Sequence, residues 1–139
     1  MQKMCAEMGT NMSKLITVHY DDKPIYNITI EKDYSKLASV IKEQVEAEHK
    51  VCVVSDSSVA SHYLDAVMDI ASECVSKVTS FVFPAGEASK NLNVVEDLYE
   101  HLIKEKFDRK DILLALGGGV VGDLTGFAAS TYLRGIKVI

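Results

Sequence analysis

Three short apolar runs, each ending in small or polar residues, constrain the fold of this chain more than any other feature. The runs are "KVCVVSD" (50–56), "KVTSFVFP" (77–84) and "DILLALG" (111–117). Runs this short and this rich in aliphatic residues are typical of strands buried on both faces. Stretches with helical spacing separate them, most clearly over 92–103, where apolar residues recur at i, i+3, i+4 and i+7. The alternation predicts an α/β fold with a mainly parallel sheet and helices on both faces.

The rest of the chain continues this pattern. Two β-rich runs, 14–19 and 25–30, flank turn-forming aspartates and a proline and predict a hairpin. Further helices are predicted over 37–45, 59–76 and 120–133, and a last strand begins in "GIKVI" at the end of the sequence. We expect residues 1–12 to be a flexible N-terminal extension and residues 13–139 to form one α/β domain.

Composition excludes several classes of function. The 139 residues are 47% hydrophobic and 25% charged, with a net charge of −5, which fits a soluble globular domain and disfavours nucleic-acid binding by a basic face. No stretch reaches the roughly 20 apolar residues of a membrane span, and no secretory signal is recognisable. The three cysteines form no CxxC pair and the four histidines form no metal-binding motif. We therefore expect a cytoplasmic protein with no metal site in this chain.

The stretch "LALGGGVVGDLTGF" (114–127) carries the strongest sign of chemistry. Gly117, Gly119 and Gly122 satisfy G-x-G-x-x-G between a predicted strand and a predicted helix. Glycines in this place let backbone N–H groups approach a diphosphate at a helix N-terminus, which predicts dinucleotide binding. A tight turn with close packing of helix against strand also requires glycine. Both interpretations stay open at this point.

Polar residues near the strand ends have two interpretations as well. Asp56 is either a ribose contact or the N-cap of the next helix. Lys90 and Glu87 either meet a phosphate and a hydroxyl or form an incidental i, i+3 ion pair. Asp123, expected in the first helical turn, either interacts with the helix dipole or accepts hydrogen bonds from a ribose diol.

Together, "PAGEASKNL" (84–92) and "LALGGGVVGDLTGFAASTYLRGI" (114–136) resemble the 3-dehydroquinate synthase family, with a likeness over residues 13–139. The resemblance implies a Rossmann-like domain, the N-terminal domain of the dehydroquinate synthase-like fold, in a truncated form. It implies a lyase of the shikimate pathway and chorismate biosynthesis, leading to aromatic amino acids. Such enzymes convert the sugar phosphate 3-deoxy-D-arabino-heptulosonate 7-phosphate into 3-dehydroquinate and phosphate, with catalytic NAD and a divalent metal, zinc or cobalt.

The resemblance also assigns residues. It implies substrate phosphate binding by Arg134 and no catalytic residue or metal ligand within this chain. It implies NAD contacts at Asp56, Ala85, Gly86, Glu87, Ala88, Ser89, Lys90, Gly118, Gly119, Val120, Val121, Gly122 and Asp123.

Full-length members of the family continue beyond the segment matched here into a helical metal-binding domain and are expected to be homodimers. We therefore expect this chain to be inactive alone, to bind NAD weakly and to self-associate. The alternatives are a sister sugar-phosphate cyclase such as an inosose or valiolone synthase, a metal-dependent alcohol or glycerol dehydrogenase, and a non-catalytic NAD-binding or interaction module.

Overall fold

The computed structural model describes residues 13–139, which fall into two compact units that meet between Lys36 and Leu37 in the sequence. The predicted extension over residues 1–12 lies outside the described residues. The assignment of residues 13–139 to one NAD-binding domain stays a prediction. Within 13–139, no helix combines the length and the apolar composition that crossing a membrane requires.

The first unit contains the predicted hairpin. Strand β1 (Lys14–Tyr20) pairs antiparallel with β2 (Lys23–Ile30). Asp21 and Asp22 connect them with φ values of 47° and 60°, as a two-residue hairpin turn requires. Ile16 lies opposite Ile28, and this face of the hairpin is therefore apolar.

The second unit is the predicted α/β layer structure. Its strands are β3 (Lys50–Asp56), β4 (Lys77–Phe83), β5 (Ile112–Leu116) and β6 (Lys137–Val138). They pair in parallel in the order β4-β3-β5-β6. The helices are α1 (Leu37–Gln44), α2 (Ser57–Ser72), α3 (Leu92–Lys104) and α4 (Gly119–Thr131). The fold-class prediction is confirmed, because parallel strands joined by helices build this sheet with a packed core on each of its faces.

Two cores lie on opposite faces of the sheet, and the strand alternation explains why. In β3, Val51 and Val53 pack with α1 and α2, whereas Cys52 and Val54 pack with α3 and α4. All four side chains are fully buried. A strand buried on both faces reads as a continuous apolar run, which is the pattern of "KVCVV".

The helix boundaries differ from the predicted ones by a few residues. Helix α2 begins at Ser57, two positions earlier than predicted, because Asp56 caps it. Helix α4 ends at Thr131, and a 3-10 turn over Tyr132–Arg134 follows. Leu133 and Arg134 have positive φ values there, 48° and 64°, so the α-helical backbone does not continue to Leu133 as predicted.

Candidate functional site

The sheet has a topological switch point between β3 and β5. The chain leaves β3 through α2 on one face and leaves β5 through α4 on the other. The hydroxyl of Ser55 donates to the carbonyl of Leu116 over 2.7 Å and ties the two strand ends together. In open parallel sheets, ligands bind in the crevice at such a point, outside the carboxyl ends of the strands. The crevice here lies between Asp56 and the glycine turn over 117–119.

The start of α4 differs from the starts of α2 and α3. The Asp56 carboxylate accepts from the backbone N–H groups of Ser58 and Val59, each over 2.9 Å. Asn91 likewise caps α3 through the N–H of Val94. Gly118 occupies the N-cap position of α4 and provides no side-chain acceptor. The first N–H groups of α4 therefore lack a side-chain cap and carry the positive end of the helix dipole, as an anion site requires.

The glycines of this turn separate into two groups. A Cβ on Gly117 would lie 2.5 Å from Cγ2 of Val121, so close packing of α4 on the end of β5 requires this glycine. A Cβ on Gly118, Gly119 or Gly122 would meet no heavy atom within 4 Å. The packing of the chain does not explain these three glycines, whereas close approach of a ligand does. Packing therefore accounts for one glycine and leaves three for a binding interpretation.

The loop after β4 is held beside the start of α2. The N–H of Ala85 donates to the hydroxyl of Ser57 over 3.0 Å. Gly86 has a φ of 112°, which favours glycine, and a 3-10 turn over Glu87–Ser89 follows. Ser89 is buried and its hydroxyl donates to the carbonyl of Pro84 over 2.5 Å, which closes the loop on itself. Ser57 is not among the predicted site residues, although its place directly after a strand is a signal in the sequence.

An ion pair connects this loop to α4. Nζ of Lys90 lies 2.6 Å from Oδ2 of Asp123, and the side chains are 45% and 63% exposed. The hydrogen bond from Lys90 to Asp123 raises the pKa of the Lys90 ammonium. The charge of Glu87 contributes least to this rise in the Lys90 pKa, and the ion pair that Lys90 forms is with Asp123 and not with Glu87. The expectation that Asp123 lies in the first helical turn is wrong, because α4 begins at Gly119 and Asp123 is its fifth residue.

The other predicted contact residues differ in how available they are to a ligand in the crevice. The side chain of Val121 is fully buried in the core, so only its backbone N–H is available to a ligand. The carbonyl of Ala88 already accepts from the Asn91 side chain over 2.7 Å. Arg134 is exposed beyond the far end of α4. A helix of 13 residues is about 20 Å long, so the structure does not bring Arg134 to the glycine turn.

A groove between α3 and α4 was not predicted. It has a volume of about 360 Å³, with Lys90 and Asp123 at one end. Its walls include Leu92 and Phe127, which are 71% and 48% exposed. A leucine at the first position of a helix and a phenylalanine among small residues were the only signals in the sequence.

Two groups of the described residues bring possible metal-ligating atoms together, and the first of them, Glu46, Glu48 and His49, is mostly exposed. His49, Asp108 and Asp111 bring donor atoms close together, but Asp111 already accepts from the N–H groups of Lys50 and Asp108 over 2.8 Å and 2.7 Å. The Lys50 ammonium lies 3.4 Å from the same carboxylate. This cluster lies at the amino ends of β3 and β5, at the opposite edge of the sheet from the glycine turn.

Known proteins match the part of the chain that contains the loop after β4 and the glycine turn. The family described as 3-dehydroquinate synthase N-terminal matches residues 80–139. A 3-dehydroquinate synthase of Acetivibrio thermocellus is 40% identical over 124 residues, covering 89% of this chain and 34% of that relative. The chain therefore spans about a third of the length of this curated relative.

Solved structures share the fold. 2-Deoxy-scyllo-inosose synthase complexed with carbaglucose-6-phosphate, NAD⁺ and Co²⁺ superposes with a TM-score of 0.73 at 25% identity, covering 91% of this chain and 33% of that one. 2-Epi-5-epi-valiolone synthase from Streptomyces hygroscopicus subsp. jinggangensis, with NAD⁺ and Zn²⁺ bound, superposes with a TM-score of 0.62, covering 80% of this chain and 33% of that one. At 23% identity, the second likeness concerns the fold alone. By sequence and fold, the chain is similar to the N-terminal part of the 3-dehydroquinate synthase-like sugar-phosphate cyclases.

Proposed function

We propose that this chain is the NAD-binding part of a 3-dehydroquinate synthase, a lyase that converts 3-deoxy-D-arabino-heptulosonate 7-phosphate into 3-dehydroquinate and phosphate in the shikimate pathway. The observation that carries the proposal is the start of α4, where N–H groups without a side-chain cap adjoin three glycines that the chain's own packing does not require. The relative of 40% identity and the related cyclase crystallised with NAD⁺ support the same assignment.

Different residues of the chain would bind different parts of the cofactor. The N–H groups of Gly119, Val120 and Val121 would hold the diphosphate, because they lie at the positive end of α4. Asp56 and Asp123 would accept hydrogen bonds from ribose hydroxyls, since carboxylates accept from both members of a diol. The segment Ala85–Lys90 would close over the cofactor from the adjacent strand end. When bound, NAD supplies reversible oxidation of a hydroxyl of the sugar phosphate.

The catalytic residues and the divalent metal, zinc or cobalt, are not assigned to this chain. The cluster of His49, Asp108 and Asp111 does not fit a metal, because backbone N–H groups and an ammonium already interact with the buried Asp111 carboxylate. We expect the 139-residue chain alone to bind NAD more weakly than in the micromolar range and not to form dehydroquinate. An assay of dehydroquinate formation with the purified chain tests the second point.

The assembly is part of the proposal. The exposed guanidinium of Arg134, distant from the glycine turn, would bind a substrate phosphate near a subunit interface, because its planar fork suits a pair of phosphate oxygens. We propose a homodimer for the whole enzyme and a cytoplasmic location.

Calorimetry of two matched variants tests the NAD assignment. Gly122 and Gly126 both lie inside α4, and a Cβ on either would meet no atom within 4 Å. Both alanine variants should therefore gain about 0.5–1 kcal/mol in the free energy of unfolding. Only Gly122→Ala should weaken NAD binding, since Gly126 lies one turn further from the helix start. Equal NAD affinity of the two variants would contradict the proposal.

A sister cyclase is the second candidate, favoured by the likeness to 2-deoxy-scyllo-inosose synthase. The residues considered above would contact the cofactor in either case, so NAD binding does not separate the two. Turnover of 3-deoxy-D-arabino-heptulosonate 7-phosphate against glucose 6-phosphate by the complete enzyme separates them, with preference for the former expected.

A further inference from the structure

The carboxylate of Asp123 lies in an unfavourable place for an anionic ligand. Asp123 follows Gly119 by four residues on α4, and residues at this spacing share one face of a helix. Gly119 is one of the glycines whose Cβ would meet no atom within 4 Å, at the turn where the diphosphate is proposed to bind. A carboxylate on that face repels a diphosphate unless a cation neutralises it.

Lys90 provides that cation from a different strand connection. Its ammonium lies 2.6 Å from Oδ2 of Asp123, although the two residues are 33 positions apart. The loop that carries Lys90 is fixed by the Ala85–Ser57 and Ser89–Pro84 hydrogen bonds. The pair therefore joins two segments that flank the crevice.

We propose that Lys90 supports NAD binding through Asp123: it neutralises the carboxylate that would otherwise repel the cofactor's diphosphate, and the two residues act as one charge-compensated unit. This inference rests on the proposed NAD-binding function. Lys90 is thus a positioning and charge-balancing residue. Because an ammonium has three donors and Asp123 occupies one, a ligand oxygen can join the pair without breaking it.

A different role for Lys90 makes a different prediction. If Lys90 bound a phosphate independently of Asp123, its loss would weaken binding by the same factor whether or not Asp123 carried a charge. If Lys90 neutralises Asp123, its loss should matter only while that charge is present. A double-mutant cycle separates the two roles, because it measures the coupling directly.

The experiment is calorimetric titration of the 139-residue chain with NAD⁺ in four forms: wild type, Lys90→Met, Asp123→Asn and the double variant. We expect Lys90→Met to weaken binding about threefold to tenfold, the effect of one unscreened charge several ångströms away in mostly aqueous surroundings. This penalty should disappear in the Asp123→Asn background and shrink in high salt. Lys90→Arg, which keeps the charge, should bind within about twofold of wild type.

The matched control is the ion pair between Lys77 and Glu105, which has the same 2.6 Å separation but lies at the amino edge of the sheet. Lys77→Met should leave NAD affinity unchanged. An equal Lys90→Met penalty in both backgrounds, or none in either, would overturn this inference while leaving the NAD assignment intact. Absence of NAD binding by every form, wild type included, would overturn the proposed function and this inference with it.

Discussion

Replacing Gly117 with alanine would place a methyl group against the first turn of α4. The new Cβ would lie 2.5 Å from Cγ2 and 2.9 Å from Cβ of Val121. Carbon atoms in ordinary contact are about 3.5–4.0 Å apart. Val121 is fully buried and packs in the core that includes α3 and α4. Its side chain therefore has no open space to move into.

The cost follows from this overlap. Overpacking a close-packed core typically destabilises a protein by about 1–3 kcal/mol. The reduced flexibility of the unfolded chain returns about 0.4–1 kcal/mol of this, because the φ of Gly117 is not in the left-handed region. We therefore expect Gly117→Ala to lower the free energy of unfolding by about 1–2 kcal/mol.

Urea denaturation followed by circular dichroism measures this difference. The matched control is Gly118→Ala, whose Cβ would meet no atom within 4 Å. It should raise the free energy of unfolding by about 0.4–1 kcal/mol, because the φ of Gly118 is −90° and the unfolded chain loses flexibility. Equal stability of the two variants would refute the assignment of Gly117 to packing and of its neighbour to ligand approach.

Three further predictions concern the cap, the buried thiol and association. Asp56→Ala should destabilise the chain by about 1 kcal/mol through loss of the α2 cap, whereas Asp56→Asn, which keeps an acceptor, should restore most of it, as thermal denaturation can show. Burial raises the pKa of the Cys52 thiol from 9.0 to about 12, so the stability linked to its protonated form is complete below pH 9.0 and is lost as the pH rises towards 12. Cys52→Ala should remove that part of the alkaline slope; an unchanged slope would contradict the burial argument. Light scattering at high concentration should detect self-association, because Ile16, Tyr26 and Ile28 leave an apolar hairpin face exposed, and a monodisperse monomer would argue against it.

The sheet was predictable from the sequence because its strands are buried on both faces. "KVCVVSD" and "DILLALG" have no amphipathic alternative, and their polar ends mark where each strand stops. Asn91 directly precedes the apolar face of α3, the position that a capping side chain takes, and it does cap this helix. These signals are local, so they can be recognised without knowledge of the tertiary structure.

The charge pairing at the site was not predictable in the same way. Sequence spacing suggested Glu87 as the partner of Lys90, whereas the fold pairs Lys90 with Asp123 across two strand connections. Likewise, nothing local indicates that Asp111 is buried and accepts from the backbone of Lys50, 61 positions away. Such contacts depend on which strand ends become neighbours, and that order is a property of the whole sheet.

The separate roles of the glycines could not be predicted from the sequence either. The motif G-x-G-x-x-G does not distinguish its glycines, whereas in the folded chain Gly117 is needed for packing and Gly119 and Gly122 are not. The motif therefore indicated the correct turn without indicating which of its residues face a ligand.

NMR titration of the isotopically labelled chain with NAD⁺ tests most directly whether the crevice between β3 and β5 binds NAD. We expect amide shifts concentrated in residues 56–57, 85–90 and 117–123, with none at His49 or Arg109, which line a cavity of about 430 Å³ away from the glycine turn. Shifts centred on that cavity, or no shifts at millimolar NAD⁺, would contradict binding in the crevice.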